Sequence, residues 1–276
     1  MRLAHHHLPI VTAIATAGLV GPALATPPLT EPGTLAFSCA GHSNGNAYNG
    51  IAQTGNFYPG EYKCKEVFDP LGGKVAAKAA YTAAGGGTAS AKGLAKWGSV
   101  QGQDASQSLA GEVGRAIAGF NDRLTFASTS QNGTWGYVVV ALRVVGHIEA
   151  HGASGSAVAQ AALFTNGGGN YHKSWDVSTD WTAPDAALDI DEVVELSFRT
   201  TFGRSVDLST ILTTQSGTRS VNGVGHGATR ITKPGLTWAG IARVTDKYGN
   251  VLDDWSVSSA SGIDWTQACP CSPGVR

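Results

Sequence analysis

Glycine interrupts this chain too often for long helices to be its main element. The 37 glycines among 276 residues are about twice the usual share, and each one inside an exposed helix costs about 1 kcal/mol relative to alanine. Many stand beside Asn or Asp, at Asn132-Gly133, Gly167-Gly168-Gly169-Asn170 and Asp246-Lys247-Tyr248-Gly249-Asn250. Such residues tolerate the positive φ of tight turns. Between the turns lie about a dozen short strand-like runs, from Leu35–Cys39 to Val251–Ser259, with Ser220–Thr232 and Leu236–Thr245 as separate runs. The expectation is an all-β fold, an antiparallel β-sandwich or jelly roll.

Two segments also read at another period. Leu109, Val113, Ala116, Ile117, Phe120 and Leu124 recur at helical spacing. Gly111, Gly114 and Gly119 oppose a helix there, so a strand is expected, its small residues letting two sheets approach. The Ala-rich run from Val75 to Ala84 carries the same ambiguity.

Charge narrows the choice of partner. Lys and Arg number 19 against 20 Asp and Glu, a formal net charge of −1, so no broad electrostatic attraction to nucleic acid or an anionic membrane is expected. Charged residues are 14% of the chain, and the surface must be dressed largely in Ser, Thr, Asn, Gln and Gly.

Arg2 gives a short basic start. An uncharged run from Leu8 ends at Ala23-Leu24-Ala25, the small-x-small pattern of a signal peptidase site. The expected organisation is a Sec-type signal peptide over 1–25, a Pro-rich leader over 26–34, one sandwich domain over 35–268 and a Cys-containing tail over 269–276. The product is then secreted, extracellular or periplasmic, with no stable membrane insertion after cleavage. Cys39, Cys64, Cys269 and Cys271 are even in number, which in an exported chain reads as disulfides before metal ligands. Three pairings are open, and Cys39 with Cys64, flanking a Gly/Asn-rich loop, is favoured.

Phe120-Asn-Asp-Arg-Leu-Thr-Phe126, Val144-Val-Gly146, Phe202-Gly-Arg-Ser-Val-Asp-Leu208, Leu236-Thr-Trp-Ala-Gly-Ile241 and Ser258-Ser-Ala-Ser-Gly-Ile-Asp-Trp265 form a set of strand and turn patterns. Over about residues 88 to 265 the chain resembles the secreted β-sandwich proteins of Gram-negative bacteria that often bear a PEP-CTERM sorting tail. The resemblance implies an exported surface or matrix protein. The chain departs from it at the end, where Cys269-Pro-Cys-Ser-Pro-Gly-Val-Arg276 stands in place of Pro-Glu-Pro, an apolar span and basic residues.

Three groups of residues carry potential chemistry. Val138, Val140, Leu142, Val144 and Ile148 define an apolar strand face, which places Arg143, His147, Glu149 and His151 on the other. Two imidazoles and a carboxylate can ligate zinc, although alternation also puts polar residues on one face without any ligand. Asp176, Asp180, Asp185, Asp189, Asp191 and Glu192 crowd a turn-rich stretch that could hold a structural calcium or be a solvated acidic loop. Seven tryptophans remain, at 97, 135, 175, 181, 238, 255 and 265. Most are expected in the core, and Trp175 and Trp181, in that same stretch, are the best candidates for exposed rings that stack on sugars.

The sequence contains no H-E-x-x-H or P-loop motif. The leading expectation is therefore a non-catalytic surface or matrix protein, with an extracellular polysaccharide or matrix component as partner. The alternative is a metal-assisted or carboxylate-based hydrolase or lyase of such a polymer. A third reading is a structural subunit that assembles through exposed strand edges.

Overall fold

A computed structural model describes residues 31–43, 57–108, 111–166, 170–218 and 224–269. The expected signal peptide, most of the leader and residues 270–276 of the tail lie outside the described residues. So do Leu109, Gly167-Gly168-Gly169 and Cys271.

The described chain contains strands and turns and no helix. Thirteen strands form two antiparallel sheets that pack face to face, a β-sandwich. In the first sheet the order is β2 (Phe57–Asp69), β1 (Gly33–Ser43), β6 (Glu112–Ser128), β11 (Ser205–Thr218), β8 (Gly155–Thr165) and β9 (Asn170–Ser178), with β13 (Trp255–Ser259) pairing β6. The second runs β10 (Asp185–Thr201), β7 (Trp135–Gly152), β12 (Gly225–Asp246), β5 (Ser99–Ser108), β4 (Thr88–Lys96) and β3 (Val75–Thr82). The apolar core draws on both sheets, Phe120, Phe126, Leu163 and Leu212 from the first meeting Leu142, Ile148, Phe198 and Trp238 from the second.

Both ambiguous segments are strands. Along β3 burial alternates, with Val75, Ala77 and Ala79 inside and Ala76, Lys78 and Ala80 outside. Along β6 the glycines serve close approach: a Cβ on Gly114 would lie 2.3 Å from the Ser90 backbone oxygen in the facing sheet. No side chain fits there, so the spacing that resembled a helix is the interior of a strand.

Two expected runs join into one. Strand β12 passes through Pro234, which cannot donate to the ladder, and the register shifts between Ile231 and Leu236 without the chain leaving the sheet. Conversely, the acidic stretch is not one loop. Asp176 belongs to β9, Asp180 to the connection, and Asp185, Asp189, Asp191 and Glu192 to β10. Period-two alternation and strand pairing distribute these carboxylates along a sheet, so they do not form the oxygen cage that a calcium loop would need.

Cys39 and Cys64 form a disulfide between directly opposed positions of β1 and β2. The link contributes about 3 kcal/mol by restricting the unfolded chain. Cys269 is also disulfide-bonded.

Candidate functional site

The outer face of β7 carries the predicted constellation. Val138, Val140, Leu142, Val144 and Ile148 are fully buried, and Arg143, His147, Glu149 and His151 share the opposite face. Register then supplies their neighbours. Asp189 of β10 and Arg230 of β12 stand opposite His147, while Asp185 and His226 stand opposite His151.

The contacts form a ladder. His147 Nδ1 lies 2.6 Å from Asp189 Oδ1, and His151 Nδ1 lies 2.8 Å from Asp185 Oδ1. Their Nε2 atoms approach Glu149 Oε2 at 3.4 and 3.6 Å, and Arg230 reaches Glu149 Oε1 at 3.2 Å. His226 stacks on His151 with ring centroids 5.8 Å apart. Partial burial works against the Glu149 carboxylate, but Arg230 and the two imidazoles outweigh it and hold its pKa below the usual value. The hydrogen bond to Asp185 pushes His151 up, against a smaller effect of burial and with help from Glu149.

This arrangement is saturated with its own partners. Glu149 lies between the two histidines along the strand, and each imidazole is bracketed by carboxylates. Among the described residues no group of three or more His, Cys, Asp and Glu side chains is arranged to hold a metal ion.

The two tryptophans expected at the surface part company. Trp175 is only 7% exposed and packs in the core, its Nε1 donating to Glu192 Oε2 at 3.0 Å. The segment is the strand β9, so alternation turns Trp175 inward with Val177. Trp181 is 65% exposed, on the β9–β10 connection. Asp180 Oδ1 orders that connection by accepting from Thr182 N at 2.7 Å and Ala183 N at 2.9 Å.

A concave site lies elsewhere, and other tryptophans contribute to it. A cavity of about 380 Å³ is walled by Trp97, Trp238 and Trp265, with Ile263, Asp264 and Gln267 along its C-terminal side. Trp97 follows β4, Trp238 comes from β12, and Trp265 from the segment after β13. Trp265 stacks on Phe120 at 5.3 Å and stands at 70° to Trp97 and 72° to Trp238.

Backbone features hold these walls. Trp97 lies directly on Gly72, where an added Cβ would fall 1.6 Å from its Nε1. Gly240, at φ +106°, forms part of a register shift in β12, and the chain at Thr266 and Gln267 rests against it. Cys269 N then donates to Trp238 O at 2.9 Å. Trp238 Nε1 donates to Trp265 O at 2.8 Å, and Trp265 Nε1 to Asp122 Oδ2 at 2.6 Å. Most tryptophans are expected in the core, and these three meet that expectation, Trp238 and Trp265 at 2% and 3% exposure and Trp97 packed against them, but their convergence around a cavity is not readable locally. Trp97 and Trp265 are 168 positions apart, beyond the reach of any local pattern.

No known protein family matches the chain, and no curated protein is significantly similar to it in sequence. A solved structure of infectious bursal disease virus Gx strain aligns with 86% of this chain and 61% of that chain, at 9% identity and a TM-score of 0.16. A likeness this weak carries no argument about the molecule.

Proposed function

We propose that this chain is an exported, non-catalytic surface or matrix protein that acts by binding, with an extracellular polysaccharide as its partner. The observation that carries the reading is a separation of two features. The titratable cluster of His147, Glu149 and His151 spreads over an open sheet face, whereas the cavity is walled by indole rings. A catalyst needs acids and bases converging on a reacting atom in a place that excludes water. A binder needs aromatic surface and hydrogen-bonding groups.

Three further features favour this reading. The Cys39–Cys64 disulfide suits an oxidising compartment, in line with the uncharged run that ends at Ala25. Trp181 offers an exposed ring on the β9–β10 connection, which suits the apolar face of a sugar. Neutral polymers also fit a chain with a formal charge of −1, since such binding responds little to salt.

The test is incubation of the protein with a panel of extracellular polysaccharides while retention and release of reducing ends are both followed. Retention without cleavage, unchanged by salt and weakened about tenfold by Trp181→Ala, is expected. Steady product release that is lost in His147→Ala or Glu149→Gln would replace the proposal with the hydrolase.

A further inference from the structure

We propose that the cavity between Trp97, Trp238 and Trp265 is a binding site for a quaternary or methylated ammonium group. The inference rests on the reading of this protein as a binder and goes beyond it by naming a small ligand that the polysaccharide hypothesis does not require.

The walls are largely aromatic. Three indoles contribute to the lining, Trp97 and Trp238 in edge contact with Trp265 at centroid distances of 5.9 and 5.2 Å. An indole ring attracts a cation through its negative quadrupole. The N–H groups of Trp238 and Trp265 already donate to Trp265 O and Asp122, so neither is available to a ligand hydroxyl. A sugar hydroxyl would find no donor on these two indoles and would have to turn to Asp264 or Gln267 of the lining for its hydrogen bonds. A methylated ammonium needs none, because its charge is spread over apolar methyl groups.

Charge agrees. Asp264 supplies a carboxylate to the lining, and among the described residues no Lys or Arg joins it there. Thr266 N and Thr266 Oγ1 both donate to Asp264 Oδ1, at 2.9 and 2.6 Å. These bonds keep the carboxyl ionised and leave Oδ2 without a partner among the described residues. Size agrees as well. The volume of about 380 Å³ lies near the lower end of ligand pockets, about 300–1,000 Å³, which suits one head group and not an extended chain.

The experiment titrates the purified full-length protein with choline chloride and, separately, with 3,3-dimethylbutan-1-ol, the neutral compound of the same shape. Tryptophan fluorescence and calorimetry report binding. Saturable binding of choline is expected, about tenfold tighter than its neutral counterpart. Asp264→Asn, at an exposed position, should weaken choline about three- to tenfold and leave the neutral compound unchanged. Phosphocholine and phosphatidylcholine vesicles, run in parallel, distinguish a free ligand from a lipid head group.

Absence of saturation, equal affinity for the two compounds, or indifference to Asp264→Asn in a variant that unfolds like the wild type would each overturn the site. The polysaccharide panel is scored independently. Choline binding alongside polymer cleavage would retain the site and reject the non-catalytic reading, and retention of polymer without choline binding would do the reverse.

Discussion

The two ends of the sandwich interior solve the same packing problem in opposite ways. At one end Trp97, Phe120, Trp238 and Trp265 hold the sheets apart with rings and leave a cavity. At the other, glycines bring the backbones together. Cβ atoms on Gly102 and Gly114 would lie 2.6 Å from Thr214 Cγ2 and 2.3 Å from Ser90 O. Ser38 Oγ bridges the sheets there, donating to Ala77 O at 3.1 Å and accepting from Gly93 N at 2.9 Å.

Tight approach has its own cost, since polar side chains become trapped. Asp104 and Arg115 are both about 1% exposed. Burial raises the Asp104 carboxyl to about 8, against the hydroxyls of Thr214, Ser216 and Thr229 and the Arg115 charge. Burial likewise lowers Arg115 to about 9, with Asp104 opposing. Neither Asp104 oxygen makes a well-aligned hydrogen bond among the described residues, nor do Arg115 Nε and Ser216 Oγ. Rings leave space at one end, and small residues strand polar atoms at the other.

Three substitutions test that contrast. The largest effect is expected from Trp265→Ala. It removes the stack on Phe120 and the bond to Asp122, and denaturant unfolding should register a loss of about 3–5 kcal/mol. A loss below about 1 kcal/mol would mean that the aromatic end does not anchor the sheets.

Gly114→Ala should cost about 1–3 kcal/mol, because the new methyl meets backbone in the facing sheet. Gly85→Ala, where an added Cβ meets nothing within 4 Å, is its control and should fall within about 0.5 kcal/mol of wild type. Equal effects from the two would break the account of close approach.

Asp104→Asn sharpens the comparison through pH. The carboxyl titrates near 8 when folded and near 3.8 when unfolded, so folding takes up a proton throughout that window. Stability from this position is therefore greatest at or below pH 4 and falls as pH rises toward 8. The variant lacks that proton uptake. Its advantage over wild type should grow by about 1.4 kcal/mol per pH unit across the window, read from unfolding midpoints. Parallel profiles for the two proteins would show that Asp104 is not held neutral by burial.

The same contrast explains what could be read from the sequence. Where apolar side chains alternate, as along β7 from Val138 to Val144, strand, inner face and outer cluster were all legible. Strand β5 carries no such signal, because beyond Ser99 and Val100 its buried positions are Gly102, Asp104, Ser106 and Ser108, which carry no apolar period. Strand β9 was hidden by the polar residues around Trp175, and that ring was consequently placed at the surface. The His147, Glu149 and His151 face was legible because period two fixes it. Their carboxylate partners on β10 depended on register, and the tryptophan cavity on contacts between distant segments. Local pattern reports neither.

The Cys39–Cys64 link acquires a further meaning when the chain is pulled from its ends. Strand β2 is an edge strand of its sheet, and an edge strand can be peeled away one rung at a time. The covalent rung between β1 and β2 stops that peeling. The sequence separation of 25 residues between the cysteines stays closed to extension, withholding about 90 Å of contour at roughly 3.5 Å per residue. Reduction would release that length, making this edge a redox-dependent determinant of how far the molecule stretches before it fails.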